Sequence, residues 1–336
     1  MRLASLLCLL LSVTFALRAA DEDIDPYDQS QQPLEVDTTD PKLTKIVLVA
    51  GSRSHGPGDH EFFAGTSILF NMLKQTPGVF PVMARDGWPK DPKIFEGAKA
   101  IFFYMDGGGG HPVIKTGRME LLQPYIDKGV GFVCAHYAVE YPGEKNAELK
   151  AKILTWLGGY YETGWSINPH WDAEIKALPD HPITRGVKPF KTNDEWYYNM
   201  RWPDEPKGIT HILKATPPDK TRGTPEAKKH PGREEIMAWA FERADGGRSF
   251  GFTGGHRHAN WGNENFRRLM VNALLWSAKL EVPAEGAKCD LNPDDLWKNL
   301  DFKGDAVAAK MRERLQALKK RVAELEKENA ELKKGK

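Results

Sequence analysis

Histidines and carboxylates are concentrated in the loop that follows Gly51. The segment SHGPGDHE holds His55, Asp59, His60 and Glu61, so two histidines and two acids fall within seven residues. On a glycine-rich backbone at the start of a predicted helix, these side chains could bind a metal ion or an anion. The alternative is a loop in which Asp59 only caps the helix. We expect His55 and His60 to take part in catalysis.

A run of four glycines at residues 107–110 precedes His111. Glycine lets a backbone approach a ligand closely and leaves amides free, so Gly108 and Gly109 are candidates for binding a substrate oxygen. A flexible turn without function is the alternative. The run is not a phosphate-binding P-loop, because no Gly-Lys-Ser or Gly-Lys-Thr follows it.

The segment GFVCAHYA at residues 131–138 ends an apolar run with a polar residue. His136 stands at the exit of this predicted strand, where it could act as a catalytic residue and a metal ligand. A histidine satisfied within the core is the alternative. Cys134 lies inside the apolar run, where a thiol usually serves packing rather than catalysis. Tyr137 follows His136 and is a candidate substrate contact.

Two later segments add acids, aromatic residues and a histidine. In the segment DEWYY, we expect Asp194, Trp196 and Tyr197 to line a sugar pocket, with Glu195 as a metal ligand or a catalytic carboxylate. Either acid could instead be a surface charge. His256 follows two glycines after a predicted strand, a position typical of a ligand or a base.

Together these segments predict a metal site. We expect His136, Glu195 and His256 to hold a divalent ion such as Zn²⁺, because two or three histidines and a carboxylate form a zinc ligand set with open positions. His55 or His60 would be a further ligand or a general base. The chain has no HExxH or Cys-x-x-Cys motif, so the site depends on the fold bringing these segments together.

The elements that must position these residues alternate between strands and helices. Continuous apolar runs typical of strands buried on both faces occupy residues 45–51, 100–105 and 130–135. Helices are predicted at residues 61–75, 118–127, 147–157 and 264–279. The predicted fold class is α/β: a flavodoxin-like three-layer sandwich with a mostly parallel sheet. The carboxyl ends of parallel strands meet at one edge of such a sheet, where the polar segments can converge.

The second half of the chain is richer in strands than the first. One of several short strands is predicted at residues 195–198, because Trp and Tyr favour extended backbone. Lysine and arginine total 47 against 46 acids, so no global basic charge attracts nucleic acid, and we expect no nucleic-acid partner.

Four further segments flank or follow this domain. Residues 1–20 have the pattern of a signal peptide, with Arg2 before an apolar stretch, although an uncleaved anchor is the alternative. The acidic, proline-punctuated residues 21–42 predict a disordered linker. The other boundaries are 43–283 for the α/β domain, 284–305 for a second linker and 306–334 for a coiled coil.

The coiled coil is predicted from heptad spacing. Apolar residues from Met311 to Leu332 are separated by alternating steps of four and three, with Asn329 on the seam. We expect a homodimer through residues 308–334, and a solitary charged helix is the alternative. The signal peptide predicts a periplasmic or secreted protein with no stable membrane insertion after cleavage.

Several of these segments resemble the trehalose-utilisation (ThuA-like) family, whose fold is that of the class I glutamine amidotransferase-like superfamily. The resemblance covers residues 44–279. It depends on the segments SHGPGDHE, GFVCAHYA, DHPITRGV, DEWYYNMRW and TGGHRHANWGNENFRRLMVNALLWSAK taken together. It implies carbohydrate metabolism, with disaccharides such as trehalose or their 3-keto forms as the substrate class.

The sequence departs from the amidotransferases at one decisive position. Those enzymes place a nucleophilic cysteine on a sharp turn after a strand, and the corresponding turn here puts His136 at the elbow, not Cys134. This argues against glutaminase or cysteine peptidase chemistry. The glycine run would correspond to the superfamily's oxyanion loop.

Three functions remain open from the sequence. The first is an exported, metal-assisted enzyme that isomerises, eliminates from or hydrolyses a disaccharide or keto-sugar. The second is a non-catalytic carbohydrate-binding protein, whose aromatic residues would stack on sugar rings. The third is a scaffold dimerised by its coiled coil.

Overall fold

The computed structural model describes residues 25–313, 315–317 and 320. The predicted signal peptide, residues 1–20, lies outside this range. The strands are β1 Thr44–Ala50, β2 Val79–Ala84, β3 Ala100–Tyr104, β4 Gly131–Ala135, β5 His170–Ile175, β6 Phe190–Glu195, β7 Ile209–Ala215, β8 Glu235–Glu242 and β9 Arg248–Phe252. The helices are α1 Phe62–Leu73, α2 Arg118–Asp127, α3 Ala147–Leu157, α4 Pro225–Lys228 and α5 Glu264–Ser277.

A seven-stranded sheet in the order β2-β1-β3-β4-β9-β8-β7 forms the centre of the domain. The five strands from β2 to β9 are parallel, and β8 and β7 complete the sheet in antiparallel pairing. The expected mostly parallel α/β sheet is confirmed, and it is compatible with a flavodoxin-like fold. The connection after β1 runs to β2 on one side, and the connection after β3 runs to β4 on the other side. The carboxyl ends of β1 and β3 therefore form a topological switch point, where such folds bind ligands.

Each central strand is apolar throughout because helices cover both faces of the sheet. In β1, Ile46 and Leu48 point into the core that contains α1 and α5, whereas Val47 and Val49 point into the core that contains α2 and α3. All four side chains are fully buried. Burial of each stabilises the fold by about 1.5–3 kcal/mol, and this fixes the positions of the strand ends.

Strands β5 and β6 form a separate antiparallel pair outside the main sheet. Buried and exposed residues alternate along β5, as expected for a ribbon with one face against the domain. Strand β6 ends at Glu195, opposite His170 at the start of β5. The strand predicted at residues 195–198 is therefore wrong, since the aromatic run follows β6 rather than forming a strand.

A disordered linker was expected at residues 21–42. The part of this segment that the structure describes, residues 25–42, packs on the domain instead. The amide of Glu35 donates to the carbonyl of Met83 at 2.8 Å, and the Glu35 carboxylate accepts from the amides of Lys90 and Asp91. Nearer the amino terminus, the Gln29 side chain donates to the backbone carbonyls of Asn299 and Leu300. Backbone partners supplied by the domain thus order a segment that has no apolar periodicity of its own.

Residues 284–305 also correct the expectation of a linker. Cys289 and Leu300 are buried in this segment, and the amide of Asp301 donates to Glu61 at 2.7 Å. A helix begins at residue 305. Most of the predicted coiled coil, residues 306–334, lies outside the described residues, so it stays a prediction. Within the described part of the chain, no helix combines the length and apolar character needed to cross a membrane.

Candidate functional site

Four side chains from separate segments converge at the carboxyl ends of the parallel strands. His60 follows β1, His136 follows β4, His256 follows β9, and Glu195 ends β6. Nε2 of His60 lies 2.9 Å from Nε2 of His136 and 2.9 Å from Nδ1 of His256. Oε2 of Glu195 lies 3.0 Å from Nδ1 of His256 and 3.5 Å from Nε2 of His136. These four residues are named the His–Glu cluster.

Two histidines of the cluster sit on strained backbone. His60 and His136 adopt left-handed conformations with φ of 48° and 54°, and the neighbouring His55 has φ of 54°. Such conformations cost about 1–3 kcal/mol each for non-glycine residues and concentrate at functional sites. His136 thus occupies a sharp turn after a strand, as predicted for the elbow.

The outward-facing nitrogen of each histidine has a hydrogen-bonding partner or an ion-pair partner. Nδ1 of His60 lies 3.0 Å from Oδ1 of Asp106, and Nδ1 of His136 lies 3.0 Å from the Thr253 carbonyl. Nε2 of His256 lies 3.5 Å from Oδ1 of Asp59. In neutral rings, donation outwards leaves the inner nitrogens with lone pairs directed at one another, which is the arrangement of metal-ligating histidines.

Burial keeps two of the histidines neutral. It lowers the pKa of His60, although the hydrogen bond to Asp106 opposes the effect, and it lowers the pKa of His136 well below its usual value. For His256, burial would lower the pKa, but Asp59 and Glu195 raise it to about 9. Either a proton on His256 or a bound cation would offset the charge of these carboxylates.

The cluster fits a divalent ion with nitrogen and oxygen ligands. The four ligand atoms lie within 4.8 Å of one another. A tetrahedral zinc ion with ligands at about 2.1 Å would hold neighbouring ligand atoms about 3.4 Å apart. The short separations within the cluster, 2.9–3.5 Å, are close to that spacing.

His55 lies at the rim of the cluster rather than inside it. Its ring stacks on that of His60 with centroids 3.6 Å apart, and its Nδ1 is 3.9 Å from Asp106. The His55 side chain is 43% exposed. Of the two loop histidines proposed as a further ligand, the geometry therefore favours His60.

Tyrosines line one side of the cluster. The Tyr197 hydroxyl lies 3.4 Å from Nε2 of His136, and the two rings are 4.8 Å apart. The Tyr137 ring is 6.1 Å from that of His60. Both were predicted as substrate contacts. Tyr137 is part-exposed and accessible, whereas Tyr197 is buried.

Asp194 and Trp196 were expected to contact a substrate, but both side chains are buried away from the surface. Asp194 is fully buried and accepts hydrogen bonds from the amides of Gly255 and Arg257 at 2.7 and 3.1 Å, so it holds the loop that carries His256. Trp196 is fully buried against Phe252 and other core side chains. Alternation along the end of β6 explains both outcomes, since residues 194 and 196 face away from Glu195.

The glycine run owes its composition to packing against the turn that begins at His136. A Cβ on Gly107 would lie 2.0 Å from the carbonyl oxygen of Tyr137, and Gly108 has φ of 61°. The Gly108 amide donates to the Glu140 carbonyl at 3.0 Å. That amide is therefore not free for a substrate, which corrects one prediction. Gly109 is exposed with open space around it, and its role stays a prediction.

Four polar residues near the cluster were not predicted from the sequence, and a fifth, Asp59, was named only as one of the acids of the histidine loop. Asp59 faces His256 rather than capping α1, and Asp106 supports His60. Asn168 donates to Oε1 of Glu195 at 3.1 Å. The remaining two are His170, whose ring lies 4.7 Å from that of His256, and Glu140. A polar residue directly after a strand was the available signal only for Asp106.

Cys134 is buried in β4 next to the Tyr141 hydroxyl. Burial raises the pKa of its thiol to about 12, although the hydrogen bond with Tyr141 opposes the effect. A thiol in this environment is protonated at neutral pH and is a poor nucleophile. Of Cys134 and His136, only His136 reaches the His–Glu cluster.

The fold and the site define an α/β protein with a histidine–carboxylate cluster at the ligand-binding edge of its sheet. A family model described as trehalose utilisation, ThuA, matches residues 52–277. The chain belongs to the ThuA family, which confirms the resemblance found in the sequence and points to carbohydrate metabolism. No curated protein shows significant similarity to it.

Two solved structures of ThuA-like proteins are similar to this chain. A ThuA-like protein of Parabacteroides merdae ATCC 43184 is 18% identical, with a TM-score of 0.50 over 76% of this chain and 99% of that chain. A ThuA-like protein of Bacteroides uniformis ATCC 8492 is 15% identical, with a TM-score of 0.48 over 71% of this chain and 93% of that chain.

Proposed function

We propose that the protein is an exported, metal-assisted enzyme that acts on a disaccharide or keto-sugar by isomerisation, elimination or hydrolysis. The observation that carries the proposal is the His–Glu cluster, in which three imidazole nitrogens and one carboxylate oxygen face a common centre. Family membership supports a sugar as the substrate, because the family is described by the words trehalose utilisation.

His60, His136, Glu195 and His256 would hold the ion, with Asp106 and Asp59 orienting two of the rings. A divalent ion bound there supplies Lewis-acid polarisation of a carbonyl or hydroxyl oxygen of the sugar. The accessible rim adds His55 and Tyr137 as groups that can donate hydrogen bonds to sugar hydroxyls.

Part of the support for the carbohydrate-binding alternative is weaker in the structure. Trp171, Trp196, Tyr198 and Trp261 are buried in the core, so they cannot stack on a sugar ring at the surface, whereas Trp165 and Trp202 are part-exposed. Four converging polar segments are also more than a binding protein requires. We retain the homodimer through residues 308–334 as a proposal about assembly, to be tested by sedimentation of the full chain.

We also propose export to the periplasm or the medium, followed by removal of residues 1–20 and no stable membrane insertion. The support is the signal-peptide pattern at the start of the chain. N-terminal sequencing of the protein recovered from each cell fraction tests this, and an intact Met1 in the cytoplasmic fraction would contradict it.

The metal is tested by mass spectrometry of the purified protein beside a His136→Ala, His256→Ala double variant. The matched control is His211→Ala, which removes an exposed histidine on β7. We expect about one divalent ion per chain in the wild type and the control, and none in the double variant. A wild type without metal after incubation with Zn²⁺, Mn²⁺ and Co²⁺ would overturn the metal-assisted mechanism.

The reaction is tested with trehalose and 3-keto-trehalose as probes, followed by NMR in the presence of the ion found. We expect turnover of at least one probe by the wild type and loss of turnover in the double variant. A tight sugar complex with neither metal nor turnover would instead favour a carbohydrate-binding protein.

A further inference from the structure

Glu140 lies on the same turn as His136 but has no part in the His–Glu cluster. The turn begins with a short helical segment, His136–Val139, and Glu140 follows it. Its Oε1 accepts a hydrogen bond from the Thr163 hydroxyl at 2.9 Å. Oε1 also lies 3.2 Å from the position that a Cβ on Gly108 would take, so the carboxyl group rests directly against the glycine run.

The surroundings of Glu140 connect it to the cluster. The Tyr137 hydroxyl is influenced by Glu140, Asp106 and Glu195 together, and its pKa is raised by burial and by all three carboxylates. Tyr197, which contacts His136, likewise has its pKa raised by burial, by Glu195 and by Glu140. The position that a Cβ on Gly108 would take lies 3.2 Å from Oε1 of Glu140 and 3.6 Å from the Tyr137 hydroxyl, so the carboxyl group and the phenol border the same space.

Glu140 is a part-buried carboxyl group, and the two charged groups that shift its pKa, Glu144 and Glu195, are both acidic. Burial raises its pKa to about 7, and Glu144 and Glu195 raise it further against the opposing hydrogen bond from Thr163. No cation in the described part of the chain contributes to its ionisation. A carboxyl group without a positive partner is costly to keep there, and such groups mark sites of proton transfer.

We propose that Glu140 is the proton acceptor of this site, taking a proton from the carbon next to the keto group of a keto-sugar held at the His–Glu cluster. The inference rests on the proposed function. The substrate C–H bond breaks, its electron pair remains on the substrate, and a Glu140 oxygen gains the proton and later returns it. No oxidant or reductant is required.

The test follows exchange of substrate hydrogen for deuterium in 3-keto-trehalose dissolved in D₂O, measured by proton NMR. Wild type, Glu140→Gln and the control Glu148→Gln are compared at equal metal content, Glu148 being an exposed acid in the first turn of α3. We expect a loss of about 10²–10⁴-fold for Glu140→Gln and an unchanged rate for Glu148→Gln.

The pH profile separates a proton acceptor from a structural residue. Because the proposed role requires the carboxylate form of Glu140, the wild-type exchange rate should rise as pH increases through about 7. This rising limb of the pH profile should be absent from Glu140→Gln. Thr163→Val removes a hydrogen bond that stabilises the carboxylate, so the limb should move to higher pH. Thr163 is exposed, so this variant should fold normally.

A second readout does not need turnover. In protein labelled with ¹³C at the glutamate carboxyl carbon, one signal should titrate near pH 7, and Glu140→Gln should lack it. Equal exchange rates in Glu140→Gln and wild type would overturn the role of Glu140 and leave the metal site intact. A metal-loaded wild type that does not exchange the probe would overturn the proton-transfer proposal, and a wild type without metal would overturn the proposed function.

Discussion

The hydrogen-bond partners of individual imidazole nitrogens determine whether the histidines of the His–Glu cluster can act as ligands. Each imidazole has two nitrogens, and the partner of the outer one determines what the inner one can do. Asp106 fixes the orientation of His60, whereas a backbone carbonyl does so for His136. Supporting residues of this kind commonly change metal affinity without touching the metal.

Asp106→Ala is expected to weaken metal binding by about 10–100-fold, because His60 loses the group that orients its ring. Competition with a chromophoric chelator measures the change. Glu148→Ala, which removes an exposed acid from the first turn of α3, is the control and should bind as the wild type does. An Asp106→Ala affinity equal to that of the control would show that His60 is not a ligand.

His111, beside the glycine run, makes stability depend on pH. It is fully buried, its Nδ1 accepts from the Val113 amide and its Nε2 donates to the Ala138 carbonyl, so the ring is neutral. Burial lowers its pKa to about 4, below the value of about 6.5 in an unfolded chain. The stability from this group is present above pH 6.5 and is lost as pH falls through about 4.

His111→Gln should therefore be less stable than wild type at pH 7, and the difference should shrink by about 3 kcal/mol by pH 4. Urea unfolding at a series of pH values measures it, and acid effects of other groups cancel in the difference. A gap that stays constant over this range would mean that His111 titrates normally.

The sequence identified the residues of the His–Glu cluster better than the residues that support them. Residue type and strand-end position were sufficient for His60, His136, Glu195 and His256, which the structure brings together. The partner of Asp59 and the position of Glu140 could not be found in this way, because the groups that they face lie in segments distant in sequence. Alternation along β6 could have excluded Asp194 and Trp196, had the end of that strand been known.

At the scale of elements, the glycine run and the turn after β4 form one unit. Gly107 packs against the Tyr137 carbonyl, and the Gly108 amide binds the Glu140 carbonyl. The turn positions both His136 and Glu140, so the run sets the spacing between the cluster and the proposed proton acceptor. Glycine is required at Gly107 because a Cβ would clash with the turn, and it is favoured at Gly108 by the positive φ.

Gly107→Ala is expected to destabilise the protein by about 1–3 kcal/mol, because its methyl group would lie 2.0 Å from a backbone oxygen that cannot move independently. Gly109→Ala is the matched control, with no neighbour within 4 Å and an expected change within about 0.5 kcal/mol. Urea unfolding compares the two. Equal stability for both variants would show that the turn yields without cost.

The elements of the first half could be predicted because their strands are continuous apolar runs between helices of regular period. The second half was harder. The aromatic run at residues 196–198 has strand propensity, yet the backbone partner of β5 is the polar segment Phe190–Glu195. Pairing with another strand overrides local preference, and sequence alone does not supply the partner.

At the scale of the whole molecule, the segments before and after the domain meet over the histidine loop. Gln29 contacts Asp301, whose amide binds the Glu61 carboxylate. Lys303 pairs with Glu61 and donates to the carbonyls of Gly56 and Asp59. The loop that presents His60 is thereby held by residues more than two hundred positions away.

Lys303→Met should destabilise the protein by about 3–5 kcal/mol, because Glu61 would be left as a buried charge without its cation. Lys298→Met breaks a part-exposed pair with Asp295 and should cost at most about 1 kcal/mol. Chemical unfolding of both variants gives the comparison. A Lys303→Met protein as stable as Lys298→Met would mean that residues 299–304 are not an integral part of the fold.

Composition misled the assignment of both linkers for a physical reason. Acidic and proline-rich segments lack the apolar periodicity that indicates a helix or a strand. The order of residues 25–42 and 284–304 comes instead from hydrogen bonds and buried contacts with the domain. A segment whose structure depends on a distant surface carries little local signal.

The wide sequence separation of the cluster has a consequence for biosynthesis. His60 and His136 are 76 residues apart, and His60 and His256 are 196 apart. During synthesis from the amino terminus, His60 and His136 emerge long before β9 and the loop that carries His256. Capture of the proposed ion by all four side chains would therefore await completion of the sheet, and the ion acquired would be one available in the compartment where folding finishes. Loading would then act as a checkpoint on a correctly finished chain.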